Sequence, residues 1–109
     1  MKWYPDLYVD DSLRGKEHRV KWKINHSMGL PFVYLITLAA NPSNLMDVIP
    51  ATNLKQKAYP RENLTVIGMA STKDDAVNLA VQIVDELYQN TGGFDLAAYL
   101  DAKRKAGQI

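Results

Sequence analysis

Two apolar segments, each followed at once by small polar residues, constrain the fold more than any other feature of the chain. Residues 32–39 (FVYLITLA) lead toward residues 41–44 (NPSN), and residues 64–70 (LTVIGMA) lead into residues 71–75 (STKDD). The first segment is apolar on both of its faces, which is typical of a parallel strand that is covered on both sides. Small polar side chains cap helices, because their oxygens accept hydrogen bonds from free backbone amides. The pattern predicts a parallel βαβ unit.

The strongest helical pattern covers residues 72–90. One face is apolar and the opposite face is polar, as expected of a helix packed on a sheet. The apolar face is widened by Val77, Val81 and Tyr88, and the polar face holds Asn78, Gln82, Asp85, Glu86 and Gln89. Ser71 is the predicted N-cap, and Gly92 is expected to end the helix, because glycine accepts the left-handed conformation found there.

Proline and glycine residues divide the rest of the chain into short elements. The predicted helices are residues 43–49, 53–58 and 94–105, and the predicted edge strand is residues 7–9. The helical spacing of Leu13, Val20 and Ile24, with Trp22 beside them, favours a helix after the capping residues 10–12. The alternation of Val20, Trp22 and Ile24 leaves a strand open. Gly68 lies inside the second apolar segment, where we expect it to let the crossover helix pack closely.

These elements predict a fold of the α/β class: a small parallel βαβ core of two to three strands, flanked by helices, in a single compact domain. The domain takes in residues 1–109, with an aromatic lead-in at residues 1–9 and a C-terminal helix and tail at residues 94–109. A small sheet has exposed edges, which proteins cover or pair. We therefore expect a homodimer that joins sheets or packs helices, or else a monomer whose helices cover the edges.

Composition excludes several kinds of site and partner. The chain has no cysteine, which excludes disulfides, thiolate catalysis and cysteine metal sites. Its formal net charge of +1 gives no global attraction to nucleic acid or to anionic membranes. The longest apolar run is about as long as a strand, far short of the ~20 residues of a membrane span, and the N-terminus does not follow a signal-peptide pattern. We expect a cytoplasmic protein with no membrane partner.

A ligand site is predicted where the two apolar strands end. If the strands are parallel neighbours, five polar residues converge at one edge of the sheet: Asn41, Ser43, Asn44, Ser71 and Thr72. Two helix N-termini there would favour an anion. The alternative is that the same residues only cap their helices. Neither a dinucleotide nor a P-loop glycine fingerprint is present in the sequence.

Catalytic and metal-binding signatures are missing from the sequence. The two histidines, His18 and His26, do not occur at a metal-ligand spacing. The serines lack the glycine-flanked elbow of a nucleophilic hydrolase. These observations favour a protein with no catalytic residues, no metal and no cofactor over an enzyme.

A basic segment and an aromatic lead-in complete the candidate sites. The basic segment contains Arg14, Lys16, Arg19, Lys21 and Lys23 with one acid, Glu17. With Trp22 it could contact phosphates and stack on a base, but we expect its charges to spread around a helix in solvent and Trp22 to turn inward. The lead-in residues Trp3, Tyr4 and Tyr8 are the predicted interface, because such rings anchor contacts.

Three strings of residues resemble, together, a group of short uncharacterised bacterial proteins. They are KWYPDLYV at residues 2–9, VYLITLAAN at residues 33–41 and QNTGGFD at residues 89–95. The resemblance covers nearly the whole chain. It implies a bacterial origin and a self-contained domain, and it brings no activity, cofactor or catalytic residue.

The sequence therefore predicts a non-enzymatic domain that acts through protein contacts as a homodimer. The first alternative is a domain that binds a small molecule or an anion at the ends of the two strands. The second is weak nucleic-acid binding through the basic segment, and nucleic acid is not the partner we expect.

Overall fold

The computed structural model describes residues 1–26, 32–39, 45–55 and 64–106. The strands are β1 (Lys2–Val9), β2 (Tyr34–Leu38), β3 (Met46–Pro50) and β4 (Thr65–Ala70), and the helices are α1 (Glu17–Asn25), α2 (Lys73–Thr91) and α3 (Leu96–Ala106). Two short 3₁₀ turns, Asp11–Leu13 and Ala51–Lys55, precede α1 and follow β3. Within the described residues, no helix is long and apolar enough to span a membrane.

The four strands form one mixed sheet in the order β1-β4-β2-β3. β1 and β4 are parallel, whereas β2 is antiparallel to both β4 and β3. The α/β class and the single compact domain are confirmed, with a radius of gyration of 13.6 Å. The prediction that residues 32–39 and 64–70 form a parallel pair is wrong: Tyr34 lies beside Ala70 and Thr37 lies beside Val66.

The antiparallel arrangement goes with a strand that the sequence did not indicate. Residues 46–49 were predicted to lie in a helix over residues 43–49 that Pro50 ends, and instead residues 46–50 form β3, which pairs with β2. Val48 and Ile49 are β-branched and fit a pleated surface. Pro50 is tolerated because it ends a strand at the edge of the sheet. The predicted turn over residues 53–58 is a 3₁₀ turn that begins at Ala51, and residues 56–58 lie outside the described part of the chain.

Both faces of the sheet are covered, as the two-sided apolar pattern of residues 32–39 predicts. Ile36 and Ile67 contribute to a core beneath α2 and α3. Leu35 and Val66 contribute to a second core beneath α1 and the 3₁₀ turn after β3. Alternate residues of β2 and β4 therefore serve opposite layers. The result is a three-layer molecule with the sheet in the middle.

Gly68 has a different role from the one predicted. A Cβ at this position would lie 2.9 Å from the backbone oxygen of Tyr8 and 3.3 Å from Cδ1 of Ile36. The constraint therefore comes from the neighbouring strands, not from a crossover helix. It coincides with an irregular register between Trp3 and Tyr8, where β1 departs from even pairing with β4. Glycine permits this close approach of two backbones.

The region around residues 20–24 is helical, which decides between the two alternatives left open by the sequence. Val20 and Ile24 are buried against the sheet. Trp22 is 56% exposed, so the prediction that it turns inward is wrong. The reason is helical geometry: two residues in either direction correspond to about 200° of rotation, which places Trp22 opposite the buried pair.

Candidate functional site

Thr72 and Ser71, predicted to bind a ligand, are occupied by structural hydrogen bonds. Thr72 is the N-cap of α2, and its Oγ1 accepts from the Asp75 amide at 3.0 Å. The cap is thus one residue later than the predicted Ser71. The Ser71 amide donates to Oγ of Ser12 at 3.3 Å, and Ser12 Oγ donates to Oδ2 of Asp10 at 2.6 Å. The capping interpretation accounts for Thr72, whereas the stated bond of Ser71 is made by its backbone amide.

The predicted convergence of two strand ends occurs, but between different strands. β1 and β4 are parallel, so their carboxyl ends meet where Ser12 contacts Ser71. β2 runs in the opposite direction, so Leu38, at the carboxyl end of β2, lies at the opposite end of the strands from Ser71. The prediction of a shared edge is wrong for that pair. The remaining predicted ligand residues, Asn41, Ser43 and Asn44, lie outside the described residues.

The aromatic lead-in docks on its own domain rather than standing free for a partner. It is the edge strand β1, longer than the predicted residues 7–9. Tyr4 is buried in the core, and the indole nitrogen of Trp3 donates to Oδ1 of Asn25 at 3.1 Å. Tyr8 is half-buried and stacks on Tyr4 with ring centroids 6.5 Å apart. The rings therefore have partners within the chain, and an interface at Trp3, Tyr4 and Tyr8 stays a prediction.

A polar cluster joins β1, α2 and α3 around one carboxylate. Oε2 of Glu86 accepts from the hydroxyl of Tyr8 at 2.6 Å, from the hydroxyl of Tyr99 at 2.7 Å and from Nζ of Lys103 at 3.0 Å. Lys103 also donates to the Tyr8 hydroxyl at 2.9 Å and lies 4.8 Å from the centroid of that ring. We call these four residues the Glu86 cluster. Glu86 was predicted to face solvent and is instead half-buried.

The pKa values of the Glu86 cluster follow from this geometry. Burial raises the pKa of Glu86, but the hydrogen bonds from Tyr8, Tyr99 and Lys103 outweigh it and hold the pKa below its ordinary value. Burial lowers the pKa of Lys103, and its hydrogen bonds to Tyr8 and Glu86 reverse the effect and raise it. Burial and the hydrogen bond to Glu86 raise the pKa of Tyr8 to about 12. The cluster therefore holds a carboxylate, an ammonium and neutral phenols near neutral pH.

The Glu86 cluster links β1, α2 and α3 through side-chain hydrogen bonds. Its carboxylate, ammonium and Tyr8 hydroxyl are paired with one another. A general base needs a proton acceptor that can reach a substrate, and Oε2 of Glu86 already accepts three hydrogen bonds. Among the described residues, no group of three or more histidine and acidic side chains could hold a metal ion.

A second row of apolar residues on α2 lies apart from the residues that face the core. Val77, Val81, Val84 and Tyr88 recur at intervals of four, three and four residues, which places them along one side of the helix. We call these residues the α2 stripe. Val81 is 62% exposed, and Tyr88 and Val77 are exposed as well. The core-facing residues of α2 form a separate row: Ala76, Leu79, Ile83 and Leu87.

The α2 stripe borders a groove of about 560 Å³. Val48 of the edge strand β3 lines one part of it, and Phe94 lines another. Phe94 is exposed and stacks on Tyr88 with ring centroids 5.6 Å apart. Asp85 is the one charged residue among the described residues that line the groove. Contiguous exposed apolar surface of this kind is a candidate for a contact surface.

A sequence signal for the α2 stripe was present but incomplete. Val77, Val81 and Tyr88 were assigned to a widened apolar face, and the width itself is informative. A helix packed on one sheet needs an apolar arc of about 100°, and the apolar residues of α2 cover more. The excess residues are those the structure leaves exposed. The contribution of Val48 carried no local signal, since it depends on the position of β3 at the sheet edge.

Comparison with known proteins adds no assignment to this geometry. No protein-family model matches the chain, and neither curated proteins nor solved structures give a match.

Proposed function

We propose that this chain is a non-enzymatic protein-interaction domain that functions as a homodimer, joined through the α2 stripe. The observation that supports the proposal is the exposed apolar row on α2. Four of the six large apolar side chains that are most exposed among the described residues line this one groove: Val77, Val81, Tyr88 and Phe94. Burying them is favourable at about 25 cal/mol per Å² of apolar surface.

A second copy of the chain suits this surface because the stripe can pair with itself. Two-fold symmetry requires a patch that is complementary to itself. If two α2 helices cross antiparallel about a point between residues 82 and 83, Val81 of one copy meets Val84 of the other. The same axis brings Val77 of one copy to Tyr88 of the other. The spacing of four and three residues is also that of a helix seam that packs knobs into holes.

Helix packing is favoured over the joining of two sheets. The free edge nearest the groove belongs to β3, which has only five residues. It carries Asp47 and ends at Pro50, and short edge strands with a charge or a proline resist pairing with another strand. Val48 is the residue of β3 that lines the groove. Strand β3 would therefore flank the dimer contact rather than form it.

Under the proposal, the α2 stripe forms the centre of a larger contact. An interface of ordinary size buries about 800 Å² on each partner. Against a total surface of 6918 Å², that corresponds to roughly an eighth of the molecule. The stripe spans twelve residues of helix, or about 16 Å, and Val48 and Phe94 widen it. We expect a dissociation constant in the micromolar range, at the weak end of what interfaces of ordinary size show.

A pair of charge substitutions on neighbouring residues tests the proposal. Val81→Asp places a carboxylate in the centre of the proposed contact, where leaving it buried and unpaired costs about 3–5 kcal/mol. We expect dimer affinity to fall by at least 100-fold in sedimentation velocity. Gln82→Asp adds the same charge one residue away on the polar face and should leave affinity within about threefold. Wild-type protein that is monomeric at 200 µM, or equal effects of the two variants, would contradict the proposal.

A further inference from the structure

We propose that the outer face of α1 binds single-stranded nucleic acid. The face is formed by Lys16, Arg19, Trp22, Lys23 and His26, which we call the α1 strip. Their spacing of three, three, one and three residues keeps them on one side of the helix. This side lies opposite Val20 and Ile24, which hold α1 against the sheet. The surface is separate from the α2 stripe, and the inference does not depend on the proposed dimer.

The cations of the α1 strip have no ion-pair partner among the described residues. Arg14, just before the helix, pairs with Asp11 at 2.8 Å. No such carboxylate lies within ion-pair distance of Lys16, Arg19 or Lys23 among residues 1–26, 32–39, 45–55 and 64–106. Glu17 is the only acid in α1. A chain of net charge +1 thus concentrates positive charge on one helix, which is the arrangement that attracts phosphates.

The aromatic part of the strip indicates which anionic partner fits. Trp22 stacks on the imidazole of His26 with ring centroids 4.1 Å apart and an interplanar angle of 24°. Nδ1 of His26 lies 2.7 Å from the carbonyl oxygen of Trp22. Because a carbonyl only accepts, Nδ1 donates, and this bond holds the imidazole in place beside the indole. The stack is exposed and flanked by cations, which matches a platform on which an unpaired base can lie.

Other anionic partners match this face less well. Duplex DNA has its bases stacked on one another and offers no free base to Trp22. An anionic membrane prefers a helix whose apolar side is outward, whereas Val20 and Ile24 of α1 are buried in the core. An acidic peptide would use the cations and leave the indole without a role. Single-stranded nucleic acid uses both.

The strip is short, so the site should be small and salt-sensitive. Lys16 to His26 spans about 15 Å of helix, enough for three or four phosphates at most. For a single strand, the logarithm of affinity should fall with the logarithm of salt concentration with a slope of about −0.7 per phosphate contact. Three contacts give a slope of about −2, so affinity should fall more than tenfold between 50 and 200 mM salt.

Fluorescence anisotropy with labelled oligonucleotides tests the inference. We expect labelled dT12 and rU12 to bind at 50 mM salt, and Trp22→Ala to weaken binding at least fivefold, which is the lower limit for loss of one stacked base. The double variant Lys16→Ala, Arg19→Ala should weaken binding and reduce the salt slope. The double variant Arg104→Ala, Lys105→Ala removes two cations from α3 and should change affinity less than twofold.

Competitors decide between the partner classes. Circular dichroism first confirms that each variant keeps the wild-type helix content and melting temperature. Val81→Asp, which changes the α2 stripe, should bind the oligonucleotide like wild type. The inference is overturned by no binding at 50 mM salt or by a Trp22→Ala variant that binds equally well. It is also overturned if duplex DNA, poly-glutamate or phosphatidylserine vesicles bind as tightly as dT12.

Discussion

Two sides of α2 differ in which kind of side chain they bury. Glu86 projects toward β1 and α3 and meets two tyrosine hydroxyls and a lysine within 3.0 Å. Val81 and Tyr88 belong to the α2 stripe, and more than half of each side chain is exposed. The polar residue is thus enclosed while the apolar residues face outward, the reverse of the usual distribution.

This difference separates side chains that are paired within the chain from apolar side chains that stay exposed. The Glu86 cluster satisfies its own charge and hydrogen bonds inside one chain, so it contributes to stability. The α2 stripe leaves most of Val81 and half of Tyr88 exposed in the monomer, and under the proposal a second copy covers them. Substitutions on the two sides should therefore separate folding from association.

The largest effect on folding is expected from the buried row of α2. Leu87→Ala removes a side chain with no exposed surface and should lower the free energy of unfolding by about 2–5 kcal/mol, because it leaves a cavity. Val81→Ala shortens an exposed side chain and should change monomer stability by less than about 0.5 kcal/mol while weakening the dimer. Urea unfolding below the dimer dissociation constant, with sedimentation of the same samples, measures both. Comparable losses of stability would show that the stripe belongs to the core.

A smaller effect is expected from the Glu86 cluster. Glu86→Ala leaves three donors without their shared acceptor and should lower the free energy of unfolding by about 1–2 kcal/mol, a value reduced by the partial exposure of the site. Asp85→Ala removes a carboxylate from the adjacent residue. Asp85 makes no hydrogen bond with the described residues. That control should stay near wild type in urea. A dimer affinity that changes more in Glu86→Ala than in Val81→Ala would break the separation between the two sides.

The smallest effect is a dependence of stability on pH. The pKa of Tyr8 is raised to about 12 from an ordinary value of 10.0, so its stabilising contribution is complete below about pH 10 and is lost between pH 10 and 12. The pKa of Glu86 is lowered from 4.5, so its contribution is present above that pH and is lost as pH falls through the folded-state value. Urea unfolding from pH 3 to 11 should show both losses. Tyr8→Phe should flatten the alkaline loss, and an unchanged alkaline loss in that variant would contradict the assignment.

Local patterns predicted α2 well. The helix was expected at residues 72–90 and occupies Lys73–Thr91, and Gly92 ends it in the left-handed conformation, with φ of 69°. Capping chemistry and helical spacing act over a few residues, so the sequence carries them directly. The N-cap was misplaced by one position because Ser71 and Thr72 are equally suited to the role.

Strand pairing was beyond such patterns. Residues 32–39 were expected to be parallel to residues 64–70, and β3 was expected to be a helix. A covered strand has apolar residues on both faces whichever direction its neighbour runs, so β2 gave no information on orientation. Asn41 and Pro42 favour turns as well as helix starts, so the sequence did not distinguish a strand at residues 46–50 from a helix.

The candidate sites divide in the same way. The sequence shows that the apolar face of α2 is wider than one sheet contact needs. The residues that widen it are most of the α2 stripe. The Glu86 cluster could not be predicted, because Tyr8 lies 78 residues away in the chain. The outward position of Trp22 could have been predicted, since it follows from the spacing of Val20 and Ile24 once a helix is assumed.

Site-specific cross-linking tests the central claim, self-association through the α2 stripe, most directly. The chain contains no cysteine, so Val81→Cys introduces a single thiol that replaces a side chain of similar size. At 20 µM protein with a short bismaleimide, we predict a covalent dimer of Val81→Cys and only monomer for Lys16→Cys, whose thiol lies on the opposite layer. Equal cross-linking of the two variants, or none at residue 81 while wild-type protein sediments as a dimer, would contradict the account.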